Sequence, residues 1–289
     1  MSTGPTVRRR RLGSELRRLR EAHSLKLEEA AERLGLAPST LSRIETGKAP
    51  TRSAYLISML EMYGVTDPEQ RQVLAEMARE GHRKGWWAAY DDVLPTGFGI
   101  YVGLEAEAAA LRVFEAQVVN GLLQTEDYAR AVTGATRRRR TREEIERLVQ
   151  LRLQRQAVLD RERPVELFLI LDEAVIRRPM GGRKIMSGQL SHLLEASTWP
   201  NVTLQVLPTS SGAHPALSGS FCILRFPEST DPDVVYSEGV AGHAYLEKEA
   251  DVRACGDAFD LLQAAAMTPV DSAELIRRVA EEITQQGLN

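Results

Sequence analysis

Cysteine is nearly absent from this chain of 289 residues: it has only Cys222 and Cys255. Neither has a second Cys or a His beside it at ligand spacing. That excludes a disulfide framework and a cysteine-based zinc site, and both read as small buried hydrophobes. Long apolar runs are missing too, and nothing approaches the ~20 residues that cross a bilayer. No apolar stretch follows the basic run Arg8–Arg11, so no secretory signal and no membrane partner are expected. Hydrolase signatures are lacking, with neither a GxSxG elbow nor an HExxH helix. No metal, no cofactor and no enzymatic activity are expected. A strong excess of one charge is also absent, with a net charge of −3. That total hides an asymmetry: residues 1–85 hold 16 Lys and Arg against 11 Asp and Glu, and the remainder 21 against 29. A basic head on an acidic body places any nucleic-acid partner at one end. The length suggests about two domains.

The head carries the clearest local pattern. Leu12, Leu16 and Leu19 mark a first helix over about 12–23. Leu27, Ala30, Ala31 and Leu34 line one face of a short second helix, and Gly35 suits a left-handed cap after it. Pro38 fits the first turn of a third helix, where its missing N–H is not needed. There Leu41 and Ile44 point inward, leaving Ser39, Thr40, Ser42 and Arg43 outward. Small hydroxyls with one forked donor can enter a major groove and bond base edges. A fourth helix after Pro50 and Thr51 turns Tyr55, Leu56, Met59 and Tyr63 inward. A fifth starts at Asp67-Pro68 and stops at Gly81. The candidate DNA-binding set is Lys26, Pro38, Ser39, Thr40, Ser42, Arg43, Lys48, Thr51 and Arg52. The basic run at Arg8–Arg11 reads either as a solvated tail or as an arm on the DNA backbone.

The pattern LxxLRxxxxL…EEAAxxLGLxxSTLSRIExGK resembles the XRE family, the phage-repressor-like helix-turn-helix regulators. The resemblance places Pro38, Ser39, Ser42 and Arg43 at base-reading positions. It places Arg20 and Glu45 at the positions of a structural ion pair between the first and third helices. The family's usual Gln at the start of the second helix is Leu27 here, and Lys26 stands beside it to supply a phosphate charge.

Residues 81–103 hold five of the 16 aromatics, Trp86, Trp87, Tyr90, Phe98 and Tyr101. A flexible linker would be apolar-poor, so this connector is expected to pack on the second domain. A helix over 104–119 is expected next, then a turn and short helix in GLLQTEDYARAV. The run Arg137–Arg140 reads as a solvated loop. A helix over 142–161 follows, opened by a Thr141/Glu144 capping box. Strands are expected at 165–171, 201–208, 219–226 and 234–239, with AYLE a candidate fifth, and a helix lies over 185–198. The first two strands imply a parallel crossover. Helices over 248–266 and 270–286 finish the chain.

Polar clusters in this half carry the regulatory candidates. His214 lies in the Gly/Ser-rich loop SSGAHPALSGSF, where a loop-structuring, a ligand-contacting and a catalytic role all stay open. Asp172 and Glu173 end the strand at 165–171, followed by Arg177 and Arg178, and read as an ion-pair network. Arg152, Arg155 and Gln156 fall within little more than a turn and could clamp a carboxylate or phosphate. A single site drawing on Arg152, Arg155, Gln156, Glu173 and His214 is the expectation, because loops at strand ends are where open sheets bind ligands.

The segments GLLQTEDYARAV, RLQRQAVL, LDEAVIRRPMGG, QLSHLLE, NVTLQVLP, SGAHPALSGSF, VVYSEG and MTPVDSAELIRR also carry a resemblance. They are similar to a domain found behind XRE helix-turn-helices in actinobacteria, Streptomyces especially. Some members of that group are antitoxin-like and are encoded beside a small acidic protein. The resemblance implies a multidomain chain. An all-α, five-helix, helix-turn-helix domain spans 1–80, an aromatic connector 81–103, and an α/β or α+β regulatory domain 104–289. The expectation is a cytoplasmic, nucleoid-associated transcription regulator. It binds double-stranded DNA at a near-palindromic operator as a homodimer. Its second domain takes a small-molecule effector or a small acidic partner protein. The alternatives are an antitoxin-like protein that regulates its own operon and a DNA-tethered enzyme using the His214 loop.

Overall fold

The computed structural model describes residues 5–81, 85–136, 140–227 and 232–285. The chain divides into two compact units after Glu107. Of the segments read above, Arg137–Arg139 lie outside the described residues.

The first unit is helical. Helix α1 spans Pro5–Ala22, α2 Leu27–Arg33, α3 Pro38–Glu45, α4 Ser53–Met62 and α5 Pro68–Gly81. A 3-10 turn at Trp86–Tyr90 leads to α6, Phe98–Glu107. The core joins Leu12 and Leu16 of α1 to Ala30 and Ala31 of α2, Leu41 and Ile44 of α3, and Met59 and Tyr63 at the end of α4. The α2–α3 turn forms as its sequence predicts. Gly35 sits at φ +64°, and Leu36 N–H closes back on the Ala31 carbonyl at 2.9 Å, a left-handed helix stop. Asp67 caps α5, accepting from the Glu69 and Gln70 N–H groups at 3.2 Å each.

Two expectations are corrected here. Helix α1 begins at Pro5, so Arg8–Arg11 are helical and are neither a solvated tail nor a free arm. Val7 is buried, Arg8 pairs with Glu80 of α5, and Arg10 is buried against Gly47. Gly47 has φ +67°, and a Cβ there would stand 2.7 Å from the Arg10 backbone. The aromatic segment, expected on the second domain, groups with the first unit instead. The 3-10 turn packs on α6, and α6 packs on α1. The apolar connector finds its partner in the helix nearest to its own end.

Helices α1 and α3 meet without room for a side chain. A Cβ on Gly13 would fall 2.5 Å from the Ile44 carbonyl oxygen. Beside that contact the Arg20 guanidinium forks onto Glu45, Nε to Oε1 at 2.7 Å and Nη2 to Oε2 at 3.0 Å. Its third arm donates to the Leu25 carbonyl at 2.6 Å. Both partners are buried. The pair implied by the family resemblance is therefore present.

The second unit is built on a six-stranded sheet of order β3-β2-β1-β4-β5-β6. Strand β1 is Ala110–Glu115, followed by α7, Glu126–Thr136, and α8, Arg142–Arg155. Then come β2, Glu166–Asp172, α9, Glu173–Arg177, α10, Arg183–Ala196, and β3, Val202–Leu207. Strands β4, Phe221–Arg225, β5, Val234–Gly239, and β6, Gly242–Leu246, precede α11, Glu249–Ala265, and α12, Pro269–Gln285. Strands β1, β2 and β3 are parallel, and β4, β5 and β6 continue antiparallel. The protein is thus multidomain and α+β. The capping box opens α8 as expected.

The helix expected over 104–119 is replaced by the end of α6 and by β1. The run has helix-forming alanines, but Leu111, Val113 and Phe114 are all essentially inaccessible. Residues of both parities are buried because β1 is a central strand, and pairing on both edges outweighs local propensity. Helix α8 stops at Arg155, six residues short of the expected 161, and a 3-10 turn, Gln156–Leu159, ends it.

Two substitutions test the α1–α3 seam by thermal unfolding. Gly13→Ala drives a methyl into backbone and should cost at least about 2 kcal/mol. Arg20→Ala strands a buried carboxylate and should cost roughly 3 kcal/mol. Adding Glu45→Ala to it should then cost less than the sum of the two single changes. Strict additivity would show the two side chains to be energetically independent.

Candidate nucleic-acid interface

The outward face of α3 carries the residues read from the sequence. Pro38, Ser39 and Arg43 are exposed and Thr40 and Ser42 half-buried, whereas Leu41 and Ile44 are sealed inside. Ser39 and Arg43 stand one helical turn apart, on one face. Lys26 precedes α2, Lys48 follows α3, Arg52 is the residue before α4, and all three are exposed. Thr51 departs from the reading. It is only 3% exposed, because the turn entering α4 folds its side chain inward, so it does not belong to the outward surface.

The charge distribution in this unit separates structural cations from available ones. Arg17 pairs with Glu21, Arg18 with Glu15, Arg33 with Glu29, and Arg79 with Glu76. Arg8 and Arg20 are spent inside the unit. Lys26, Arg43, Lys48 and Arg52 have no side-chain ion pair or hydrogen bond among the described residues. Arg43 lies on α3, Lys48 and Arg52 on the turn that follows it, and Lys26 just before α2. The surface that carries α3 is therefore positive and uncompensated, which suits phosphate neutralisation by counterion release.

Behind this surface Tyr63 fills the space next to the Arg20–Glu45 pair. Burial and the nearby Glu45 carboxylate push its hydroxyl up to about 12.

In the second unit the expected regulatory residues do not converge. Phe114 and Glu115 are neighbours on β1 and leave opposite faces of the sheet. His214 packs edge-on against Phe114, ring centroids 5.5 Å apart, on the face where Phe259 and Leu262 of α11 lie. Arg152 and Arg155 belong to the Glu115 side. Arg152 acts on the Glu115 carboxyl, and Arg155 on Tyr236. Tyr236 pairs with Cys222, which pairs with Val113, so all three share the Glu115 face. The sheet stands between His214 and the arginines.

The α8 residues are engaged internally. Arg152 donates to the Gln124 side chain at 2.6 Å, and the Gln156 amide donates to the Gly121 and Gln124 carbonyls at 3.1 and 2.7 Å. Arg155 is buried against Gly121. Together they brace the turn at 120–125. Gln189 secures the same turn from α10, accepting from Thr125 N–H and donating to the Leu123 carbonyl. Glu173 is held as well. It accepts from Thr209 N–H at 2.8 Å and pairs with Arg177, which also reaches Glu282. Of the expected network only Glu173 and Arg177 form an ion pair; Asp172 caps α9, and Arg178 donates to the Gln117 carbonyl.

One group escaped the sequence reading, because its segment was assigned to a helix. Glu115 ends the central strand, with Asn120 donating to it at 3.2 Å and Ser220 bonded from β4's side. It is half-buried. Packing around the carboxyl pushes it up to about 7, against the pull of Asn120, Ser220 and Arg152, and Glu238 adds a further push. An acidic residue directly after an apolar run with two buried parities was the available signal.

Comparison with known proteins bears on both units. Residues 98–278 match the family model described as a domain of unknown function, DUF5753. The chain belongs to the DUF5753 family. Residues 11–74 match a helix-turn-helix domain, so this DUF5753 protein is a DNA-binding regulator. No curated protein and no solved structure matches the chain. No described helix is long and apolar enough to cross a membrane.

Glu115 makes the second unit sensitive to pH. A carboxyl raised from 4.5 to about 7 binds its proton more tightly in the folded state. Its stabilising contribution is complete below the unfolded value and is lost as pH rises through the folded one. Relative to Glu115→Gln, the wild-type chain should lose about 3 kcal/mol between pH 4.5 and pH 8. Urea unfolding followed at both pH values measures this. Parallel pH profiles for the two proteins would mean that the carboxyl ionises normally.

Proposed function

We propose that this protein is a sequence-specific transcription regulator of the XRE kind that binds a near-palindromic operator as a homodimer. Its unit at 108–289 receives a regulatory small molecule or a partner protein. The observation that carries the DNA-reading part is the set of four uncompensated cations, Lys26 before α2, Arg43 on α3, and Lys48 and Arg52 after it, on a unit whose other exposed arginines pair with carboxylates. One helix-turn-helix reads a short half-site, so two copies supply the specificity that a genome demands. The regulatory role of the second unit is inferred from its place behind a helix-turn-helix and from the titratable end of β1. The joint site of Arg152, Arg155, Gln156, Glu173 and His214 gains no support from the geometry.

The test separates base reading from phosphate contact. Arg43→Ala should weaken binding to a selected operator by about 1–3 kcal/mol and relax the preference at one base pair. Lys48→Ala should weaken all sequences alike and reduce the salt slope by about one unit. Gel-shift titrations at several salt concentrations give both numbers. Equal loss on every sequence for Arg43→Ala would remove it from the base-reading set.

A further inference from the structure

The order of the strands singles out one end of the sheet unit. From β1 the chain turns to β2 on one side and, after β3, comes back to β4 on the other. The carboxyl end of β1 is thus the point where the order reverses, and open sheets bind ligands in the crevice outside such a point. Strands β4, β5 and β6 alternate in direction. The same end therefore holds the start of β4, the end of β5 and the start of β6.

Register fills that end with a row of polar side chains. Val113 pairs with Cys222, Cys222 with Tyr236, and Tyr236 with Tyr245. Two residues further along β1, the same register sets Glu115, Ser220, Glu238 and His243 in line on the same face. The pairing of Glu238 with His243 is direct, and the Ser220 hydroxyl bonds the Glu115 carboxyl. Glu115, Ser220 and His243 are half-buried and Glu238 is exposed. Aromatic rings flank Glu238. The Tyr236 and His243 centroids lie 5.7 Å apart, and Tyr245 lies 5.3 Å from each. Tyr236 Oη donates to the Glu238 carboxylate at 3.2 Å.

The chemistry of the row favours a positive charge. Its two carboxyls stand on either side of Ser220, and Glu238 disfavours ionisation of Glu115. Arg152 pulls the other way from α8, and packing with Glu238 outweighs it. An anion would meet both acidic groups, and a neutral molecule would leave their repulsion in place. A cation between them removes it, and aromatic faces beside a carboxylate suit the body of an organic cation.

We propose that this crevice binds a compact organic cation, a primary ammonium on an aromatic or apolar body. The ammonium lies between Glu115 and Glu238, and the body lies against His243 and Tyr245. The assignment rests on the reading of this unit as the receiver of a small molecule, and its test lets the two fail separately.

The probe is phenethylamine, titrated into the full-length protein, with phenylacetate and 2-phenylethanol as its anionic and neutral counterparts. The amine should give saturable NMR amide shifts at Glu115, Ser220, Glu238 and His243, and neither counterpart should match it. Glu115→Gln and Glu238→Gln should each weaken it about fivefold. Binding requires the Glu115 carboxylate, so the amine should bind about tenfold more weakly at pH 5.5 than at pH 8, and that ratio should shrink in Glu115→Gln. The other titratable groups around Glu115 are Glu238, Arg152 and Tyr128, with His243 at the far end of the row. No saturable shift at these residues, equal binding of either counterpart, or amine binding untouched by both variants would overturn the proposal. Glu238 lies at the surface, so if Glu115→Gln fails to fold, Glu238→Gln decides. Gel shifts on a selected operator, with and without the amine, test the regulator reading by itself. An amine that binds at this row and leaves operator affinity unchanged keeps the site and removes its regulatory role.

Discussion

The orientation of α3 hangs on one buried ion pair. Arg20 and Glu45 are both removed from water, and each of the three guanidinium arms involved has a defined oxygen partner. Such a pair contributes little net stability, because the desolvation of two charges offsets much of their attraction. What it supplies is directionality. Apolar contacts among Leu16, Leu41 and Ile44 would tolerate some sliding of α3 along α1. A forked donor that must meet two carboxylate oxygens does not. Gly13 sets the distance between the helices and the pair sets their register. The outward positions of Ser39 and Arg43 follow from those two constraints.

The same economy governs charge over the rest of the unit. Arginine is abundant at the N-terminus, yet most of it serves folding. Arg8 ties α1 to α5, Arg10 packs on Gly47, and Arg17, Arg18 and Arg33 neutralise carboxylates on their own helices. Counting basic residues therefore overstates the positive field. The field that an approaching duplex meets comes from the few cations left over, and those are concentrated beside α3.

How much was legible in the sequence depended on how local the decisive forces were. The turn from Gly35 to Pro38 is set by backbone preferences of the residues themselves, so it could be read directly, as could the Thr141–Glu144 box and the Asp67 cap. Strand β1 is decided by partners on both edges that come from Glu166–Leu171 and Phe221–Arg225, far along the chain. Its alanine-rich approach reads as helix until those partners are known. Thr51 looked like an outward hydroxyl, since nothing in its neighbours reveals the inward turn before α4. Arg152, Arg155 and Gln156 read from the sequence as one polar face, whereas Gln156 falls in the 3-10 turn after α8. Whether that face met solvent, a ligand or the turn at 120–125 depended on how α7 and α8 return to the sheet. His214 and the arginines could not be assigned to opposite faces before Phe114 and Glu115 were known to be strand neighbours.

The early start of α1 bears on how such proteins diversify by exchanging parts. A recombination event that cut at the edges of the matched helix-turn-helix, at residues 11 and 74, would part Arg10 from Gly47 and would divide α1 and α5 within their own lengths. It would also leave α6 without the helix it covers. The inheritable reading cassette is longer than the recognisable one, and its natural seam is the peptide between Glu107 and Ala108. Lineages that swapped DNA specificity at that peptide would keep both hydrophobic cores whole, whereas a cut inside the connector would expose Trp87 and Tyr101 to water.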